Sequence, residues 1–143
     1  MVRCAAIQPG NLVVDPFCGS GTLLLEALEV YTHNQQPAQK NIRCIGMDVS
    51  RKTTKGAQQN ALAENYGDDV CSFVCSDARS LKQHVQEDSV DAMISNMPWG
   101  IMTGQKQDSN SLQTMYEVFL RNAWHVLKDK GRIVMLVLRG LLM

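Results

Sequence analysis

The chain has 143 residues, 45% of them hydrophobic and 20% charged, and its formal net charge is zero. These values fit a single globular domain and argue against a protein that holds nucleic acid through a basic face of its own. The longest apolar run, residues 133–138, is too short for a membrane span, and the N-terminus lacks the apolar core of a signal peptide.

Five cysteines without a Cys-x-x-Cys pair and three scattered histidines argue against a disulfide framework and against a metal site. They favour a reducing compartment, so we expect a cytoplasmic protein with no membrane partner. If the substrate is a nucleic acid, a neutral chain supplies the chemistry and leaves affinity to another domain or partner.

Strand-like and helix-like runs alternate along the chain, which predicts a doubly wound, mainly parallel α/β sheet. We predict strands at residues 11–14, 42–47, 70–74, 90–95 and 132–138. Helices are predicted at residues 20–31, 50–65 and 111–128, with a short helix after Asp77. Turns or loops are expected at residues 32–41, 67–69, 104–110 and 129–131. The whole of 1–143 is one domain in this prediction.

Residues 15–22, Asp-Pro-Phe-Cys-Gly-Ser-Gly-Thr, link the first strand to the first helix. Gly19 and Gly21 allow a tight turn and a close approach to a ligand. A dinucleotide site would need a third glycine where Leu24 stands, and a phosphate loop would need a lysine that is missing. The carboxylate of Asp15 would repel phosphate, and it suits a cationic, amino-bearing ligand such as S-adenosylmethionine.

Two further carboxylates follow the next strands. At the end of the second strand, Asp48 can accept hydrogen bonds from both hydroxyls of a ribose. Asp77, after the third strand, can meet the amino group of an adenine. One isolated aspartate in such a place is usually a helix cap or a loop residue. Three at successive strand ends, beside a glycine loop, favour a nucleoside-like ligand instead.

The tip of the fourth strand carries Asn96-Met97-Pro98-Trp99. An amide, a proline and an aromatic ring in this place can hold a planar nucleobase and its exocyclic amino group. Stacking on Trp99 would contribute about 1–3 kcal/mol. The polar loop at residues 104–110 has two interpretations, a cover over the substrate or a plain surface connection.

In order and spacing, these segments resemble the class I S-adenosylmethionine-dependent amino-methyltransferases. The nearest group is similar to the RNA guanine-N2 methyltransferases, many of which carry a THUMP domain upstream. The resemblance runs from about residue 11 to residue 138. It implies a Rossmann-like class I methyltransferase fold and methyl transfer from S-adenosylmethionine to an exocyclic amine, with guanine N2 in tRNA as the substrate.

The resemblance also implies a role for each motif. Asp15, Gly19 and Gly21 would surround the methionine part of the cofactor, Asp48 would hold its ribose and Asp77 its adenine. The full cofactor-binding set that it implies is Asp15, Phe17, Cys18, Gly19, Gly21, Thr22, Asp48, Val49, Asp77, Ala78 and Asn96.

The implied catalytic set is the tetrapeptide Asn96, Met97, Pro98 and Trp99. The side-chain oxygen of Asn96 and the backbone carbonyl of Met97 would accept hydrogen bonds from the target amine, while Trp99 would stack on the base. No metal belongs to this set.

The chain departs from the family pattern at two positions and in its length. Met97 stands where proline is usual, so the tip loses rigidity, and Trp99 stands where tyrosine or phenylalanine is commoner. The family sheet has seven strands and this chain ends after the fifth, so we expect a catalytic-domain fragment that lacks its THUMP domain. The implied partners are an RNA recognised with the help of that missing domain and a small zinc-binding activator protein.

Two alternatives stay open. DNA adenine-N6 methyltransferases and the glutamine methyltransferases of release factors share Asn-Pro-Pro-aromatic tips, although the Asp-Pro-Phe loop counts against the glutamine enzymes. The second alternative is a methyltransferase-like binding subunit that does not catalyse methyl transfer. Among the remaining residues, Cys18 is expected to pack in the loop and not to act as a nucleophile. Core packing is expected for Trp124 and for three strand cysteines, Cys44, Cys71 and Cys75.

Overall fold

The structure is a computed structural model that describes residues 1–32, 42–98, 101–102, 105–106 and 109–137. Its strands are β1 (Leu12–Asp15), β2 (Arg43–Asp48), β3 (Cys71–Cys75), β4 (Val90–Asn96), β5 (Ile101–Met102), β6 (Gln105–Lys106) and β7 (Leu127–Leu136). Its helices are α1 (Thr22–Thr32), α2 (Arg51–Ala63) and α3 (Ser109–Val126), with 3₁₀ turns at Val2–Ala5 and Ala78–Gln83.

The five longer strands form one parallel sheet in the order β3-β2-β1-β4-β7. The direction of winding therefore changes between β1 and β4, where Val14 pairs with Met93. Open sheets of this kind bind ligands at the carboxyl ends of the strands beside such a switch point. The prediction of a doubly wound parallel α/β sheet is confirmed.

Both faces of the sheet are covered, because adjacent residues of a strand point to opposite sides. Val13 packs in a core cluster with α1 and α2, whereas Val14 packs in a second cluster with α3 and the Ala78–Gln83 turn. The two helical layers hold the strand ends between them, and loops at the carboxyl edge are left to form the site.

Several predicted boundaries are wrong. The first helix begins at Thr22 and not at residue 20, because Gly21 has φ +84°, which no right-handed helix contains. The third helix runs from Ser109 to Val126 and not from residue 111 to 128. Strand pairing starts at once at Leu127, breaks around the positive-φ residue Lys130 and resumes at Arg132 opposite Ala92.

The other turns and caps follow the sequence more closely. Ser50 caps α2 by accepting a hydrogen bond from the N–H of Thr53 at 3.3 Å, as predicted. The antiparallel pair of β5 and β6 was not predicted, and it takes two residues of the expected loop 104–110. Residues 104, 107 and 108 of that loop, and residues 33–41 of the expected loop 32–41, lie outside the described residues.

Two packing predictions are also wrong. The side chain of Trp124 is 80% exposed, because Ala123 and Val126 are the residues that α3 turns toward the sheet. Cys75 is exposed at the end of the edge strand β3, although Cys44 and Cys71 are buried as predicted. Within the described ranges, no helix combines the length and the apolar character needed to cross a membrane.

Candidate functional site

A cavity of about 530 Å³ opens at the carboxyl edge of the sheet beside the switch point. This volume lies within the range of about 300–1,000 Å³ that is usual for small-molecule sites. Its lining comes from the loops after β1, β2, β3 and β4 and from α3, and consists of Pro16, Phe17, Asp48, Val49, Asp77, Ala78, Arg79, Asn96, Pro98 and Met115.

Half of the residues that the sequence singled out meet in this cavity, and Met97 is not part of its lining. Seven of them line it: Phe17, Asp48, Val49, Asp77, Ala78, Asn96 and Pro98. Five others of the predicted cofactor-binding set are absent from the lining: Asp15, Cys18, Gly19, Gly21 and Thr22. Trp99, predicted to stack on the base, lies outside the described residues.

The glycine loop is joined to the cavity through Asp48, which lines it and accepts a hydrogen bond from Gly19. Gly19 and Gly21 both have positive φ, +53° and +84°, a conformation that side chains resist. A Cβ at Gly21 would also come within 2.9 Å of the ring of Phe73. The loop is tied to the second strand because the N–H of Cys18 donates to the Met47 carbonyl at 2.8 Å.

Asp48 joins that loop to the start of α2. Its Oδ2 accepts a hydrogen bond from the N–H of Gly19 at 3.2 Å, and its Oδ1 accepts one from the N–H of Ser50 at 2.8 Å. An ionised carboxylate offers about four acceptor positions. About two remain on a side chain that lines the cavity, which is the capacity that a pair of ribose hydroxyls requires.

Asp77 is held by a neighbour that sequence reasoning missed. The guanidinium of Arg79 donates from Nη2 to Oδ2 at 2.7 Å and from Nε to both oxygens, and the Arg79 N–H donates to Oδ1 at 2.8 Å. These bonds hold the pKa of Asp77 below its usual value. The carboxylate is therefore ionised at neutral pH. The sequence feature that could have predicted this pairing is the arginine two residues after Asp77.

Asp15 is the last residue of β1, and its side chain connects β1 to β4. Its side chain is 1% exposed, and Oδ1 accepts from the Ser95 hydroxyl at 2.7 Å and from the Phe17 N–H at 3.0 Å. Burial raises its pKa to about 7, against the opposing effect of those two hydrogen bonds. Oδ2 has no hydrogen-bond partner among the described residues, and Asp15 is not among the residues that line the cavity.

The strand tip is anchored through its backbone. Asn96 ends β4 with an exposed side chain, whereas Met97 is 3% exposed and packs in the core. The N–H of Met97 donates to the Leu136 carbonyl of β7 at 3.0 Å. The Pro98 carbonyl accepts a hydrogen bond of 2.5 Å from the hydroxyl of Tyr116 on α3.

Two members of the predicted set have other surroundings. Thr22 lines a different groove of about 680 Å³ between α1 and α2, which also contains Glu26 and Glu64. Cys18 is buried, and burial raises the pKa of its thiol far above the usual range, with Asp15 as the next cause. A thiol that stays protonated packs and does not attack, in agreement with the sequence prediction.

The polar side chains that line the cavity fit S-adenosylmethionine better than a phosphorylated nucleotide. Asp48 keeps acceptor positions suited to ribose hydroxyls, and Asp77 adds a second carboxyl group, whose oxygens accept four hydrogen bonds from Arg79. The one arginine in the lining is bound to Asp77 and is not free for a phosphate. Among the described residues, no cluster of potential metal ligands was found.

Sequence and structure comparisons agree on the type of domain. A family described as "RMKL-like, methyltransferase domain" matches residues 1–140 of the chain. The tRNA (guanine(6)-N2)-methyltransferase of Thermus thermophilus is 34% identical over 143 residues, 100% of this chain and 38% of that protein. The tRNA (guanine(10)-N2)-dimethyltransferase of Methanothermobacter thermautotrophicus is 28% identical over 135 residues, 94% of this chain and 35% of that protein.

Among solved structures, TrmN from Thermus thermophilus superimposes on 97% of this chain and 36% of its own, with a TM-score of 0.78 and 32% identity. The chain therefore spans little more than a third of the length of the proteins that it matches.

Proposed function

The chain belongs to the RMKL-like methyltransferase-domain family, and from this premise we propose that it transfers a methyl group from S-adenosylmethionine to the N2 amino group of a guanine in tRNA. The observation that carries the proposal is the single cavity in which Asp48, Asp77 and Asn96 meet at three strand ends. The cavity thus combines acceptors for a nucleoside with an amide suited to a planar amine. The names of the relatives supply the base and the type of RNA.

In this proposal the loops after the first three strands hold the cofactor. Asp48 accepts hydrogen bonds from the ribose hydroxyls and Asp77 accepts one from the adenine amino group. A direct contact of Asp15 with the methionine part stays a prediction, because its side chain is buried and does not line the cavity. When bound, S-adenosylmethionine supplies a methyl group whose C–S bond breaks as the N–C bond forms. The chain's own residues contribute binding and orientation. These are sufficient for methyl transfer, because the thioether that departs from the methyl group is a good leaving group.

The strand tip, Asn96 and Met97, orients the guanine amino group that is the nucleophile. A guanine amino group reacts poorly because its lone pair is delocalised into the ring. Two acceptors against its N–H bonds, Asn96 Oδ1 and the Met97 carbonyl, favour a more tetrahedral nitrogen and aim the lone pair at the cofactor side. The proton released from nitrogen after transfer passes to water, so no general base is required.

The RNA has to present an unpaired or flipped base to reach Asn96. Stacking of that base on Trp99 stays a prediction. Because the chain is neutral, affinity for RNA comes from elsewhere in a longer protein, and a THUMP domain is the module we propose for it. A cytoplasmic location and the zinc-binding activator implied by the family resemblance also stay predictions.

Labelled methyl transfer tests the proposal. The full-length protein is incubated with labelled S-adenosylmethionine and, separately, with unmodified tRNA, DNA and a release factor, and the labelled nucleoside or residue is identified by mass spectrometry. We expect N2-methylguanosine in tRNA. N6-methyladenine or methylglutamine would instead establish one of the alternative enzymes, and cofactor binding without transfer to any acceptor would indicate a binding subunit.

Asn96→Ala locates the activity at the strand tip. We expect it to lower kcat/KM by about 100-fold or more, because the acceptor that orients the amine is lost. The affinity for S-adenosylmethionine, measured by calorimetry, should change little. The matched control is Asn96→Asp, which keeps an acceptor oxygen and should retain more activity than the alanine variant. Full activity of Asn96→Ala would refute the role given to the amide.

A further inference from the structure

Both peptide groups that flank the Met97 carbonyl are anchored. On one side, the Met97 N–H donates to the Leu136 carbonyl at 3.0 Å. On the other side, the Pro98 carbonyl accepts the 2.5 Å hydrogen bond from Tyr116. The Met97 carbonyl lies between these two anchors along the chain, so its direction is limited by both.

The helix that carries Tyr116 is itself fixed against the other half of the site. Phe119, one turn further along α3, is fully buried and meets the ring of Phe17 edge-on, with centroids 5.4 Å apart. Residues three apart share a face of a helix. One face of α3 therefore touches both the loop after β1, through Phe17, and the strand tip after β4, through Pro98.

We propose that Tyr116 is a positioning residue that sets the direction of the Met97 carbonyl toward the target amine. The inference rests on the proposed function, in which that carbonyl is one of the two acceptors. Met97 has an N–H to donate to the Leu136 carbonyl, and Tyr116 restrains the peptide that follows.

The chemistry of Tyr116 suits a constant donor. Burial raises the pKa of its hydroxyl above the ordinary value of 10, so the group stays protonated across the neutral range. Its ring packs against the core cluster that contains Met97 and Phe119. Replacing tyrosine by phenylalanine thus removes the hydrogen bond and leaves the packing of the ring in place.

Tyr116→Phe in the full-length protein is the test. We expect kcat for tRNA methylation to fall about tenfold, a difference of about 1.4 kcal/mol in the barrier. KM for tRNA, the calorimetric affinity for S-adenosylmethionine and the melting temperature should stay close to those of the wild type. Tyr31→Phe is the matched control, since Tyr31 lies on α1 against the other core cluster, and it should leave kcat unchanged.

The outcomes separate the two claims. A wild type that methylates tRNA, with a Tyr116→Phe variant of equal kcat, would overturn the inference and leave the proposed function standing. The inference would also be overturned if a lower affinity for S-adenosylmethionine or a lower melting temperature accounted for the whole loss of rate, because the tyrosine would then have a structural role. A wild type that methylates no RNA would overturn both together.

Discussion

Asp15 has a carboxyl group that the fold has removed from water, and the replacement Asp15→Asn tests what this costs. In the folded chain the pKa is raised from 3.8 to about 7, mainly by burial. Folding therefore favours the protonated acid. The stabilisation that this gives is fully present below pH 3.8, is lost as the pH rises through that interval, and is absent above about 7.

The size of the effect follows from the shift. At about 1.4 kcal/mol per pH unit, the interval from 3.8 to about 7 corresponds to roughly 4 kcal/mol of lost stability. Asparagine does not titrate, and its side-chain oxygen can still accept from Ser95 and Phe17. The free energy of unfolding of Asp15→Asn, relative to that of the wild type, should therefore rise by about 2–3 kcal/mol as the pH goes from about 5 to about 8.

Urea unfolding of both proteins at a series of pH values, without cofactor, measures this difference. The change of this difference with pH is the informative quantity. If the new amide makes weaker hydrogen bonds than the carboxyl group, the loss of stability is the same at every pH and does not affect that change. Asp69→Asn serves as the control for the loss of one carboxyl group, since Asp69 is exposed, and an equal gain in that variant would contradict the assignment of the effect to burial.

A flat difference for Asp15→Asn would refute the reasoning. It would mean that the hydrogen bonds from Ser95 and Phe17 compensate the burial of the charge, and that Asp15 titrates near its ordinary value. A difference that changed in the opposite direction would mean that the ionised form is the one stabilised by folding.

Two further predictions concern the second strand and its neighbourhood. Asp48→Ala should weaken binding of S-adenosylmethionine about 10- to 100-fold in calorimetry, since charged hydrogen bonds contribute about 1.5–3 kcal/mol each; unchanged affinity would remove Asp48 from the cofactor site. Gly46→Ala should destabilise the chain by about 1–3 kcal/mol in urea unfolding, because a Cβ there would lie 2.5 Å from the ring of Phe73. Gly56→Ala, on α2 with open space around it, should instead stabilise by about 0.5–1 kcal/mol, and a loss of stability in both variants would contradict the steric argument.

Local pattern accounts for what the sequence predicted correctly. Apolar runs and helical spacing reflect which residues enter a core, and they act over a few neighbouring positions. The five strands of the main sheet, the cap at Ser50 and the turn at Gly67–Asp69 were all within reach of such rules. The same is true of the acids at strand ends, because parallel strands bring their carboxyl ends to one edge of the sheet.

Contacts between distant segments explain what the sequence did not predict. Ser95 meets Asp15 across 80 positions of the chain, and Tyr116 meets Pro98 only because α3 returns over the same edge. The exposure of Trp124 depended on which side of α3 faces the sheet. One position along a helix turns a side chain by about 100°, so Ala123 is buried whereas Trp124 next to it is exposed.

The sequence by itself determined the order along the chain of the five strands of the main sheet and of the three helices, the glycine loop and the residue types at the strand ends, since these depend on neighbouring residues. Tertiary structure alone decided how those types are used. The order β3-β2-β1-β4-β7 buries Asp15 and leaves Asp48, Asp77 and Asn96 on one cavity. Burial raises the pKa of Asp15, and hydrogen bonds from Arg79 lower the pKa of Asp77, although the two residues are of the same type.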